Sequence, residues 1–251
     1  MKQWQPDEQQ LHMLHDAVRR ADRETYLETL LNTSVVMPAE PESDEWAVAA
    51  VEAGTLVVVF SSVDALHAAP DGAAQEHTVW PVIDLVHAWP DPDWALLIDG
   101  TRPTEVLLKP TTLAELLDRA REVYPLDAAL RSADDLRSYL DLLWPAEVIV
   151  PMLPHGSPSR DLANPDFAWW RTGSEELGPA VTLFSSPVRL QASLGDIPWQ
   201  AVRFADLLAH WPSRCAALID PEHEIGRRVP AEALAALAGP RAIGRPRAIG
   251  S

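Results

Sequence analysis

The residues best placed for chemistry are two serine pairs and two aspartates. Ser61-Ser62 follows the apolar run Thr55-Leu56-Val57-Val58-Val59-Phe60, and Ser185-Ser186 follows Val181-Thr182-Leu183-Phe184. A serine at the end of a strand is where a nucleophile elbow would put one, but the flanking glycines of that motif are missing. The same serines suit the cap of a short helix through Asp64, Ala65 and Leu66. An anion held at that helix start is the functional counterpart of a cap, and the acidity of the chain opposes it. Asp99 and Asp220 each close an apolar strand. They are candidates for carboxylates paired across an interface, or for turn residues satisfied by nearby backbone N–H groups.

Other constellations are sparse. His12 and His15 stand three residues apart with no third ligand at a suitable spacing, and Glu222-His223-Glu224 lacks the helical spacing of a zinc motif. No Gly-x-x-x-x-Gly-Lys phosphate loop occurs. The single cysteine, Cys215, precedes Ala216-Ala217-Leu218-Ile219 and reads as core. No cofactor, metal or catalytic set is therefore expected. The ten tryptophans are the unusual feature. Trp89 and Trp211 are each followed by proline and read as anchors. Trp169-Trp170 are neighbours, so on a strand they face opposite sides, and burial between two halves or against a partner is the expectation. The candidate partner or ligand surface is Trp46, Ser61, Asp99, Trp169, Trp170, Ser185 and Asp220.

These residues sit in elements that occur twice. Apolar spacing predicts a helix over 7–32, a short strand at 35–37 stopped by Pro38, and a hairpin of 46–51 with 55–60. A short helix follows Ser61-Ser62; then come a strand and helix over 79–89, strands at 94–98 and 105–108, and a helix near Thr112. The second half repeats this order, with a helix over 127–143, a strand at 148–150 and a hairpin of 167–171 with 180–184. Tyr26, Leu27 and Leu30 match Tyr139, Leu140 and Leu143 at an offset of 113. Phe60 matches Phe184 at 124, Trp89 matches Trp211 at 122, and Ile98-Asp99 matches Ile219-Asp220 at 121. The drift falls within predicted loops, as a duplicated fold requires. The expectation is α+β: two tandem related domains at 8–123 and 126–239, each a small mixed sheet with a hairpin flanked by helices. The absence of a Gly/Ser linker implies that they pack on one another. Residues 240–251, carrying Pro-Arg-Ala-Ile-Gly twice, are expected to be a disordered tail.

The helix ending Tyr26-Leu27-Glu28-Thr29-Leu30, the strand closing on Pro38, Val59-Phe60-Ser61-Ser62 and the strand at 95–99 together resemble the SseB-like family, named for an enhanced-serine-sensitivity protein. The resemblance covers about 8–120 and again 127–238. It implies a small α+β domain, often duplicated, and an accessory or interaction role in bacteria. It carries no catalytic residues.

Composition bounds the partners. Of the 251 residues, 37 are acidic and 20 basic, a net charge of −17. That opposes binding to nucleic acid and to anionic membranes. No apolar run reaches the length of a membrane span, and the first eight residues lack a signal sequence. The reading is a non-enzymatic, cytoplasmic interaction or accessory protein with a protein partner, for which the acidic charge makes a basic surface the candidate. The alternative is an enzyme or small-ligand binder with its site between the halves, drawing on Ser61, Ser185, Asp99, Asp220 or His210.

Overall fold

Where the periodicity implies one opening helix, the chain makes two. In the computed structural model, α1 (Glu8–Arg20) ends at Ala21, whose φ of 53° is left-handed, and α2 (Arg23–Leu31) starts from Asp22. The Asp22 carboxylate accepts the Thr25 N–H at 3.1 Å and its hydroxyl at 2.8 Å, which fixes the break. The model describes residues 7–39, 46, 48–51, 54–69, 76–100, 102–153, 161–164, 166–174 and 178–239. The chain divides into two units, the first ending at Val123 and the second starting at Tyr124. Each is described by itself.

After α2 come β1 (Ser34–Ala39), β2 (Val48–Val51), β3 (Gly54–Val59), α3 (Val63–His67), β4 (Glu76–Pro81), α4 (Val82–His87), β5 (Ala95–Ile98), β6 (Val106–Leu108) and α5 (Pro110–Val123). The main sheet has the order β2-β3-β5-β6, with β3 and β5 parallel and both outer pairs antiparallel. The parallel pair requires a crossover, which α3, β4 and α4 supply. β1 and β4 form a separate antiparallel pair. It is joined to the main sheet where Val36 and Phe60 exchange two backbone hydrogen bonds of 2.8 Å. Leu27, Leu30, Val57, Val59, Leu96 and Leu116 are buried between helices and sheet.

The second unit repeats every element in order. These are α6 (Pro125–Arg131), α7 (Leu136–Leu143), β7 (Glu147–Pro151), β8 (Arg171–Ser174), β9 (Gly178–Leu183), α8 (Pro187–Leu194), β10 (Trp199–Arg203), α9 (Phe204–Leu208), β11 (Ala216–Ile219), β12 (Arg227–Val229) and α10 (Ala231–Ala238). The sheet order β8-β9-β11-β12 and the β7–β10 pair copy the first unit, as does the Ile149–Phe184 bridge. The helix read over 127–143 is again two, because Asp135 and Ser138 form a reciprocal capping box.

The second hairpin is displaced from its expected place. Its first strand is Arg171–Ser174 rather than 167–171. Phe167 is buried and meets Trp169 edge-on at 4.9 Å, while Trp169 forms an antiparallel bridge with Met152. Gly173 then passes so close to Gly178 that a Cβ would meet its carbonyl oxygen at 2.4 Å. The tail at 240–251, the hairpin tip at 52–53 and much of the loop at 152–165 lie outside the described residues.

Candidate functional site

In each unit the parallel strands end side by side, the place where open α/β sheets commonly bind ligands. Asp99 and Asp220 stand there with φ of 54° and 45°. Asp tolerates this left-handed turn, which folds its side chain back over the neighbouring strand end. Both are turn residues that accept a backbone N–H, but the N–H belongs to a strand end distant in sequence. Both are buried, and both reach across to a serine. Asp99 accepts the Ser61 N–H at 2.8 Å and the Ser61 hydroxyl at 2.6 Å. Asp220 accepts the Ser185 N–H at 2.9 Å. Each serine–aspartate pair is therefore engaged within its own unit, tying two strand ends together. The Ser61 hydroxyl donates to a carboxylate, and no glycine-flanked elbow surrounds it.

The second serine of each pair stands at the N-terminal cap position of the following helix. Ser62 accepts the Ala65 N–H at 3.0 Å and starts α3. Ser186 starts α8 without a side-chain cap bond, and its hydroxyl is buried without a partner among the described residues.

Around the two aspartates the copies diverge. In the second unit Arg189 on α8 is wholly buried and lies between two carboxylates. It donates to Asp127 at 2.8 Å and to Asp220 at 3.4 Å. The Ser185 hydroxyl donates to Asp127 at 3.2 Å, and the Arg131 Nε lies 3.6 Å from the same carboxylate. Two buried negative charges thus meet two guanidinium groups, the condition under which a buried ion cluster is tolerated. The first unit carries Ala65 at the position of Arg189, at the offset of 124 set by Phe60 and Phe184. It carries Leu14 and Val18 at the positions of Asp127 and Arg131, at the offset of 113 set by Tyr26 and Tyr139. There, among the described residues, the carboxylate of Asp99 adds only the Thr104 hydroxyl, at 3.3 Å.

A small cavity of about 10 Å³ lies over Asp99, lined also by Leu14, His15, Val18, Tyr26, Ser61 and Thr104. The Nε2 of His15 is buried and has no partner among the described residues. Burial pushes the His15 pKa down; the Asp99 charge opposes this, and Arg102, Arg19 and His12 reinforce it. Burial likewise pushes the Tyr26 phenol up, with Asp99 adding to the effect.

Five of the ten tryptophans form one aromatic cluster in each unit. Trp46 packs on Trp80 at 5.7 Å and edge-on to Trp89 at 5.6 Å. Trp169 packs on Phe167 and, at 5.6 Å, on Trp211. Trp169 and Trp211 are both partly buried and pack against the core of the second unit. Trp170 is half-buried, and its carbonyl accepts the Thr182 N–H at 3.0 Å. Beside Trp89 and Trp211 each unit has an apolar groove. The first, about 210 Å³, runs along Leu113, Ala114 and Leu117; the second, about 460 Å³, runs along Leu234, Ala235 and Ala238. The second is rimmed by His210 and Arg214.

A family model described as the SseB protein N-terminal domain matches residues 8–115 and again 126–236. The chain belongs to the SseB family. No curated protein and no solved structure matches it. The two SseB domains share the Ser–Asp strand clasp, the Trp groove and the β-bridge, and differ in the charge placed around the clasp. Arg189, Asp127 and Thr104 escaped the sequence reading. The signal for Arg189 was available: it interrupts the apolar run Pro187-Val188-Arg189-Leu190 at a position flanked by core residues.

Proposed function

We propose that this SseB protein is a non-enzymatic interaction or accessory protein of a bacterial cytoplasm, with a basic protein as its partner. The observation that carries this reading is the engagement of both serine–aspartate pairs inside the fold, where they hold strand ends. Charge supports the choice of partner. Residues 1–123 carry 22 acidic against 8 basic side chains, a net −14, whereas residues 124–251 carry 15 against 12, a net −3. Such a field speeds encounter with a basic surface and rejects nucleic acid and anionic lipid. Among the described residues no helix is long and apolar enough to cross a membrane.

Affinity capture from native bacterial lysate across a salt series tests the reading. A basic protein should be retained at low ionic strength and released as salt screens the acidic half. Reversing the charge of several exposed acids in residues 1–123 should abolish retention. If nothing is retained, or if retention is indifferent to salt and to charge reversal, the proposal fails.

A further inference from the structure

We propose that the first unit binds a primary ammonium group in the cavity over Asp99. The second unit supplies the template. There the same carboxylate position, at the end of the same strand, receives a buried guanidinium from Arg189. In the first unit Ala65 replaces that arginine, and among the described residues no cationic side chain forms an ion pair with Asp99. A buried carboxylate without a positive partner is costly, and the first unit keeps one.

The lining counts to an ammonium. A carboxylate offers about four lone-pair sites. Asp99 gives three of them to the Ser61 N–H, the Ser61 hydroxyl and the Thr104 hydroxyl, leaving one on Oδ1. The Thr104 oxygen retains an acceptor site. His15 adds a buried, unpartnered Nε2, which accepts when the ring is neutral with its proton on Nδ1. The depressed pKa of His15 favours that neutral form. Three acceptors, one of them charged, match the three donors of an ammonium head. A volume of about 10 Å³ admits one water-sized group and excludes a second guanidinium. A hard metal cation fits poorly, since it takes six or more oxygen ligands and the cavity has one carboxylate. Half-exposed His15, Val18 and Thr104 frame the opening, and the net −14 of residues 1–123 draws cations toward it.

The test is thermal unfolding of the full chain at neutral pH in ammonium, methylammonium, potassium and sodium chlorides at matched ionic strength. Ammonium should raise the melting temperature of the first transition saturably, by a few degrees over sodium. Methylammonium acting likewise would place the group at the tip of an alkyl amine, and ammonium acting alone would restrict the site to the free ion; either supports the proposal. Asp99→Asn should remove the response. Thr104→Val, at the half-exposed mouth, should weaken it and covers the case in which Asp99→Asn does not fold. Equal effects of all four salts, equal effects of potassium and ammonium, or a full ammonium response in Thr104→Val would overturn it.

Discussion

At the scale of single residues, the two copies solve the same problem of a buried aspartate in different ways. Arg189 is the residue on which the second unit depends most. Replacing it with methionine removes the guanidinium and leaves Asp127 and Asp220 facing each other in the core. The expected cost is about 3–5 kcal/mol, the range for breaking a buried pair on one side. Chemical denaturation with probes in the second unit measures it; a loss below about 1 kcal/mol would show that the cluster is hydrated rather than buried. His15 gives a pH signature in the first unit. Its folded pKa lies below the ordinary histidine value because burial disfavours the charged ring, helped by Arg102, Arg19 and His12 and resisted by Asp99. Protons therefore bind the unfolded chain more tightly. The stability that neutral His15 contributes is present above the unfolded pKa of about 6.5 and declines as pH falls below it. His15→Gln should flatten the fall in melting temperature between about pH 7 and 5 relative to the native chain. Identical profiles for the two proteins would refute this.

At the scale of elements, equivalent positions carry different loads, and substitutions expose the difference. Ser62→Ala removes a real cap bond and should cost about 1 kcal/mol. Ser186→Ala, at the matching start of α8, removes a buried hydroxyl that has no partner among the described residues, and should be neutral or stabilising. Equal destabilisation of the two would contradict the assignment. Ala21 makes the same point about the break between α1 and α2. Its left-handed φ of 53° strains an L-residue, so Ala21→Gly should stabilise the chain by up to about 1 kcal/mol, read as a higher midpoint in urea. This is also why the sequence shows one helix where the fold has two. The apolar spacing of Leu14, Val18, Tyr26 and Leu30 runs through the break, whereas the break depends on the Asp22 side chain and one unusual backbone angle. Strand positions and the duplication were legible because alternation and the repeated Phe-Ser-Ser at the strand ends are local signals. The Asp99–Ser61 clasp was not, since it joins residues 38 apart whose types also suit ordinary turns and caps. For the pair Trp169-Trp170, strand alternation implies that one ring faces away from the core; the packing of Trp169 on Phe167 and Trp211 joins residues that no local pattern links.

At the scale of the whole molecule, the fold is duplicated but the charge is not. Both units build the same four-stranded sheet and the same strand clasp, so topology places no different demand on either. The net −14 of residues 1–123 against −3 of residues 124–251 therefore loads most of the self-repulsion onto the first unit. Its exposed ion pairs, among them Arg119 with Glu24 at 2.5 Å and Arg23 with Glu115, offset little of this, since solvent screens such surface pairs and ordering two long side chains costs entropy. Salt weakens those pairs and the repulsion together, and with 22 acids to 8 bases the repulsion is the larger quantity screened. Raising sodium chloride should accordingly slow backbone hydrogen exchange in β3 and β5 of the first unit more than in β9 and β11 of the second, measured on the full chain. Sodium keeps this comparison separate from any ammonium effect at Asp99. A larger gain in the second unit, or a loss in the first, would mean that local pairs rather than net charge govern the stability of the acidic half.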